Sequence, residues 1–204
     1  ICTPFDEDSV DQIVKHQYDY LKIASCSIRD WPLLEKIAEA DLPIIASTGG
    51  ASMTDVDKVV SFFKHKEKSF ALMHCVGVYP TENEDLIMNR IDWFKDRYRD
   101  IPIGFSTHEK PDETLPAVIA VSKNARLFER HVGLETETYK LNAYSSNPEQ
   151  IQKWLNAIKA ALAACGPEDI RNHQVSETEL KALEGLKRGA FARRPIESDE
   201  YFGM

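Results

Sequence analysis

Three observations predict an α/β fold of the (β/α)8 TIM-barrel type, truncated to about six βα units and followed by a C-terminal linker. Short apolar runs rich in β-branched or aromatic residues recur six times in the 204-residue chain, followed by polar residues and segments with helical apolar spacing. Strands alternating with helices pair in parallel, with the helices covering the sheet. No G-x-G-x-x-G or G-x-x-x-x-G-K-[ST] follows any run, which removes support for a nucleotide-binding open sheet and favours the closed barrel. A complete barrel has eight units and about 250 residues. Two strands are therefore expected upstream of those present.

The first run opens the chain as Ile1-Cys2-Thr3-Pro4-Phe5, with neither an initiator Met nor a capping residue before it, and reads as the middle of a longer protein. Val10, Ile13 and Val14 then share one helical face. A second run, Tyr20–Ala24, precedes a helix marked by Leu33, Leu34, Ile37 and Ala38. The third, Pro43–Ala46, leads to Val56, Val59, Val60 and Phe63, a helix for which Thr54 is the expected cap. Further runs follow at Phe70–Cys75, Ile101–Phe105 and Arg126–Glu129. A last helix is expected from Asn147-Pro148, with Gln150 behind the cap, through Ile151, Trp154, Leu155, Ile158 and Leu162 to a stop at Gly166. Residues 1–166 thus form the expected barrel domain. Residues 167–204 carry Glu168, Asp169, Glu177 and Glu179 and then Lys187, Arg188, Arg193 and Arg194, with no strong core pattern. They read as a short helix and a linker toward an absent second domain.

With 43% hydrophobic and 28% charged residues the composition is that of an ordinary globular protein. A net charge of −8 leaves no footprint for nucleic acid or an anionic membrane, so neither is an expected partner. No apolar run approaches the roughly 20 residues of a membrane span, no signal-peptide pattern opens the chain, and a cytoplasmic location is expected. Cys2, Cys26, Cys75 and Cys165 are scattered without a C-x-x-C pair, and reduced, buried thiols are expected.

Barrel enzymes carry their chemistry at the carboxyl ends of the strands. There the second run places Lys22, whose burial among apolar neighbours demands a negative partner unless it snorkels at an edge. The third run ends in Ser47-Thr48-Gly49-Gly50, which suits either a phosphate cradle or a plain tight turn. The fourth contributes His74, more often a core residue at such a position, and Tyr79 before Pro80. The last two end in Ser106-Thr107-His108 and Glu129-Arg130-His131. Neighbouring parallel strands lie about 5 Å apart, so two histidines at matching ends can reach one ion. Two imidazoles with oxygen ligands suit Mn²⁺, Fe²⁺ or Zn²⁺.

The ordered set Thr3-Pro4-Phe5-Asp6, Tyr20-Leu21-Lys22-Ile23-Ala24-Ser25, Pro43 to Gly49, His74-Cys75 with Tyr79-Pro80, Ser106-Thr107-His108 and Glu129-Arg130-His131 resembles the sialic acid synthases. The resemblance covers residues 1 to about 165, and Ser176 through Gly203 resembles the family's linker into an antifreeze-like domain. It implies that Lys22, Ser47, Tyr79 and Ser106 bind phosphoenolpyruvate and that His108 and His131 hold a divalent metal, Mn²⁺ or Mg²⁺. Lys22, His108 and His131 would be the catalytic residues, the acceptor an N-acylated amino-sugar aldehyde, and the full-length enzyme a homodimer. Several positions depart from the family pattern. Ser25-Cys26-Ser27 stands where a Ser-Gly-Glu run is usual, which puts Ser27 at a sugar-contact position. Gly77 replaces a common Asn, Thr107 replaces an Asp, and the loop from Leu134 to Ser145 leaves Asn142 near the place of a sugar-binding aspartate. A legionaminic- or pseudaminic-type product therefore fits as well as sialic acid. Two rivals stay open: another metal-dependent aldolase-type barrel, and a non-catalytic or incomplete barrel.

Overall fold

Four polar side chains open four of the helices within residues 1–166. In the computed structural model, which describes residues 1–167, 169–171, 174–189 and 191–201, Asp6 accepts a hydrogen bond from the Ser9 amide at 2.7 Å and opens α1, Glu7–Lys15. Asp30 caps α2, Trp31–Glu39, with Pro32 in its first turn, where the missing N–H costs nothing. Ser52 and Asp55 form a reciprocal capping box on α3, Met53–His65. The cap is thus Ser52 rather than Thr54, which lies inside the helix, because Asp55 answers the Ser52 amide from the third helical position. Asn147 and Gln150 make the same reciprocal pair on α6, Pro148–Cys165, and Gly166, with φ of 71°, follows its last turn. The remaining helices of this part are α4, Asn89–Arg97, and α5, Leu115–Ser122.

Between the helices run β1, Leu21–Ile23, β2, Ile44–Ser47, β3, Phe70–Cys75, β4, Ile103–Thr107, and β5, Phe128–Arg130. All pair in parallel in the order β1-β2-β3-β4-β5, with Lys22 beside Ile45, Ser47 beside Met73, Cys75 beside Ser106 and Ser106 beside Glu129. The sheet has five strands where six runs were expected. The run at Ile1 contributes a single parallel bridge from Cys2 to Leu21, and Pro4, two residues on, has no N–H with which to extend the ladder.

The sheet is a curled half-barrel. Laid flat, β1 and β5 would stand about 19 Å apart, yet Lys22 Nζ on β1 lies 3.2 Å from Glu129 Oε2 on β5. Period-two alternation divides the strands between two environments. Leu21, Ile23, Ile44, Ala46, Leu72, Ile103 and Phe105 face the helices and pack with Val10, Leu33, Ile37, Val56, Phe63, Ile91 and Phe94 into one continuous core. A smaller cluster of Ala117, Val121, Trp154, Ile158 and Ala161 joins α5 to α6. The alternate residues Lys22, Ile45, Ser47, Met73, Cys75, Ser106 and Glu129 line the concave side.

The chain divides at Gly166 into two units. In the second, Ser176 caps a short helix, α7, Glu177–Glu184, and every described residue is exposed. Glu168 and residues 202–204 of the expected linker lie outside the described residues. All four cysteines are free, but only Cys75 is buried: Cys26 sits in a 3₁₀ turn beside the strand ends and Cys165 is the last residue of α6, both exposed. Among the described residues no helix is long and apolar enough to cross a membrane.

Candidate functional site

At the carboxyl ends of the strands the concave face opens into a cavity of about 350 Å³. Six of the residues singled out from the sequence line it together: Lys22, Ser47, Tyr79, Ser106, His108 and His131. A larger cavity of about 540 Å³ lies at the opposite, amino-terminal ends, lined by Pro43, Ser69, Phe70, Pro102 and Arg126 among others. It holds no histidine, and the strand-end placement of barrel chemistry directs attention to the smaller one.

Lys22 is 6% exposed, and its ammonium donates to Ser47 Oγ at 2.7 Å and to the Ile23 carbonyl at 3.4 Å, with Glu129 at 3.2 Å supplying the negative charge. A buried cation is satisfied here without leaving the cavity wall. In the tight turn after Ser47 the first two amides are spent on the protein. The Thr48 amide donates to the Met73 carbonyl and the Gly49 amide to Ser25 Oγ at 3.0 Å. Only glycine fits at 49, since a Cβ would stand 2.7 Å from Ser25 Oγ. What reaches the cavity from this turn is the Ser47 hydroxyl.

The other end is aromatic. The rings of His108 and His131 have centroids 5.2 Å apart, and Tyr79 lies 4.1 Å from His108 and 6.2 Å from His131. Nδ1 of His108 is 2.9 Å from the Val76 carbonyl. A carbonyl only accepts, so Nδ1 carries the proton and Nε2 presents a lone pair. Burial lowers the pKa of both rings, with His108 itself adding to the depression of His131, so both are neutral at pH 7. Burial, with the neighbouring Cys75, Tyr144, Cys26 and Glu129, raises that of Tyr79 and keeps its phenol protonated. Behind the histidines, Glu109 and Arg130, each immediately adjacent in sequence to one of them, form an ion pair at 2.6 Å with both side chains 1% exposed.

Two neutral imidazoles are the donor type that Mn²⁺, Fe²⁺ or Zn²⁺ accepts, and the backbone carbonyl that fixes the tautomer of His108 at Nδ1 is the usual outer partner of a metal-bound histidine. His108 and His131 therefore fit two positions of a divalent ion. Among the described residues no cluster of three or more His, Cys, Asp or Glu side chains is placed to complete such a site.

Two predicted contacts stand elsewhere. Ser27 is buried in the turn after β1 with its hydroxyl 3.9 Å from Cys26 Sγ, and the Asn142 carboxamide is engaged with the backbone of its own loop. Sequence reasoning assigned no role to Glu129, Cys75 or Tyr144. Glu129 and Cys75 were within reach of a period-two argument, since each is two residues from an inward neighbour, His131 or Met73. Tyr144 carried no such signal, because its place depends on how the 17-residue connection from β5 to α6 folds back. His74 faces away from the cavity, with Nε2 2.7 Å from the Leu86 carbonyl and its ring stacked on Phe105.

Comparison with known proteins places the whole chain among known relatives. The chain is 51% identical to a Chromobacterium violaceum protein assigned as spore coat polysaccharide biosynthesis protein E, whose crystal structure it matches with a TM-score of 0.87 over 96% of this chain and 57% of that one. The N-acetylneuraminic acid (sialic acid) synthetase of Leptospira borgpetersenii, crystallised with citrate, is 30% identical with a TM-score of 0.79, over 90% of this chain and 62% of that one. N-acetylneuraminate-9-phosphate synthase of Drosophila melanogaster is 30% identical over 89% of this chain and 50% of its own length. The chain spans between half and three-fifths of the length of the curated relatives it matches. The profile of the NeuB family covers residues 1–169, and the chain belongs to that family, the family of the sialic acid synthases.

Proposed function

We propose that this chain carries the reaction centre of a synthase that condenses phosphoenolpyruvate with an N-acylated amino-sugar aldehyde. The product is a sialic or related nonulosonic acid, with release of phosphate. One observation carries the reading: a single cavity joins a cationic, hydroxyl-lined end, Lys22 with Ser47 and Ser106, to an end walled by two neutral imidazoles and a tyrosine. The first end suits the phosphate and carboxylate of the donor. The second suits a carbonyl oxygen that gathers negative charge.

In this reaction carbon 3 of phosphoenolpyruvate forms a bond to the aldehyde carbon, water adds at carbon 2, and the C–O bond to phosphate breaks. Lys22 Nζ would hold the phosphate and balance its charge, and the Ser47 and Ser106 hydroxyls would orient it. Tyr79, protonated at neutral pH, would donate to a donor or acceptor oxygen. His108 and His131 would hold a divalent metal, Mn²⁺ or Mg²⁺, which when bound supplies Lewis-acid polarisation of the aldehyde. As the resemblance to sialic acid synthases implies, the intact protein would work as a homodimer.

The test is phosphate release by the intact protein from phosphoenolpyruvate, with and without N-acetylmannosamine. Release is expected to require both substrates, to stop with EDTA and return with Mn²⁺, and to be lost in His108→Ala and His131→Ala. Release that needs no acceptor sugar, or that persists in EDTA, would exclude the proposal.

A further inference from the structure

The connection from β5 to α6 is long but tied. The Ser146 amide donates to the His131 carbonyl at 2.9 Å, the Gly133 amide to the Ser146 carbonyl at 3.0 Å, and Arg130 Nε to Ser146 Oγ at 2.6 Å. These bonds close the base of the loop against the strand that carries His131. Within it, Asn142 Oδ1 accepts from the amides of Tyr144 at 3.1 Å and Ser145 at 2.8 Å, which turns the chain back toward the site. The Tyr144 ring then stands 5.0 Å from Tyr79, 5.1 Å from His131 and 6.4 Å from His108. It joins three rings of the cavity wall in a four-ring cluster, just outside the lining itself, and is half-buried, with part of its surface open. Tyr139, on the outer part of the same loop, is 74% exposed and touches none of these rings.

We propose that Tyr144 is a specificity-determining residue for the acceptor sugar, forming the outer aromatic wall against its N-acyl side, with Asn142 as the positioning residue that holds it there. The inference rests on the acceptor reading above and extends it. An aromatic ring fixed by edge contacts offers an apolar face to a sugar's C–H surface or to an acyl methyl, and it carries no charge that could act on the reacting carbon. Position, rather than chemistry, is what it contributes. Asn142, placed by the family resemblance at a sugar contact, has its carboxamide oxygen committed to the two amides that aim Tyr144. It therefore reaches the sugar through the tyrosine.

Steady-state kinetics with saturating phosphoenolpyruvate, comparing N-acetylmannosamine with N-butanoylmannosamine, tests this in the intact protein. Tyr144→Ala is expected to raise KM for N-acetylmannosamine and to change the ratio of kcat/KM between the two acceptors by about tenfold, the scale of a lost apolar pocket contact. KM for phosphoenolpyruvate should stay the same. Asn142→Ala should reproduce the effect, Asn142→Asp, which keeps Oδ1, should largely restore it, and the two alanine changes combined should not add. Tyr139→Ala should leave the ratio unchanged. An unchanged ratio in Tyr144→Ala, or an effect of Asn142→Ala that persists in full in the Tyr144→Ala background, overturns the inference while wild-type activity stands. A wild-type protein that releases no phosphate with any acylated mannosamine overturns the functional reading, and this inference with it.

Discussion

His74 and His108 come from neighbouring strands and face opposite sides of the sheet. His108 lies in the cavity with Nδ1 on the Val76 carbonyl and, among the described residues, no partner at Nε2, whereas His74 is wedged between Phe94 and Phe105 with Nε2 bonded to Leu86. The alternation that turns Met73 and Cys75 inward sends His74 toward α4, so this division was legible from the period of the strand alone. The pairing of Glu129 with Lys22 was not, because the two are distant in sequence and meet only through curvature. His74 permits a clean pH prediction. Its pKa is lowered chiefly by burial, and its Nδ1 is buried with no hydrogen-bond partner among the described residues. Between the depressed folded value and the ordinary value near 6.5 the unfolded chain binds a proton that the folded chain does not. Stability therefore rises with pH up to about 6.5 and is lost progressively on acidification below it. Urea denaturation at a series of pH values should show this slope, with a limit of about 1.4 kcal/mol per pH unit for one proton. His74→Phe should make it shallower, the lowered pKa values of His108 and His131 leaving the rest of the slope, and should lower stability above pH 6.5 through loss of the Leu86 bond. An equally steep curve in the variant would assign the slope to other groups.

At the scale of elements, β3 was read to the residue and α6 to its caps, because each carries its own signal: an unbroken apolar run in one, a capping box in the other. The opening run is present as a single bridge. Cys2 pairs with β1, and Pro4, with no N–H to donate, stops that pairing from running on toward the carboxyl end. Packing across strands was also beyond local reading, and Gly104 illustrates it. On β4, beside Met73 of β3, a Cβ at this position would meet Met73 Sδ at 2.4 Å and, on the other side, the Leu127 backbone oxygen at 2.6 Å. The sulfur could turn away, but the carbonyl belongs to the chain leading into β5. Gly104→Ala should therefore force β4 and β5 apart and cost about 1–3 kcal/mol, the usual range for overpacking a filled interior. Gly77→Ala, where a Cβ would have nothing within 4 Å, should be near neutral. Thermal melts of the two variants check the contrast, and equal melting points would show that the β4–β5 spacing yields without cost.

For the whole half-barrel, the curl brings β1 and β5 together at Lys22 and Glu129, and it places the proposed donor cation under an internal carboxylate. The two partners are unlike: the Lys22 side chain is 8% exposed and that of Glu129 44%. Solvent screening at the glutamate limits the worth of the pair to about 1 kcal/mol or less, while Lys22, left without it, keeps only Ser47 and the Ile23 carbonyl. An anionic donor that binds Lys22 must therefore displace Glu129 or share the ammonium with it. Two opposite effects of Glu129→Gln follow. Without ligand the variant should be less stable than wild type, because a buried cation has lost its counter-charge. With phosphoenolpyruvate it should bind up to about fivefold more tightly, the factor that corresponds to 1 kcal/mol. Its melting temperature should then rise more steeply with ligand concentration than that of wild type. Lys22→Met should abolish the ligand-dependent rise altogether. Thermal shift across a phosphoenolpyruvate titration, joined to calorimetric affinities, separates the outcomes. Weaker binding in Glu129→Gln would make the carboxylate part of the donor site rather than its competitor, and an undiminished shift in Lys22→Met would remove Lys22 from that site.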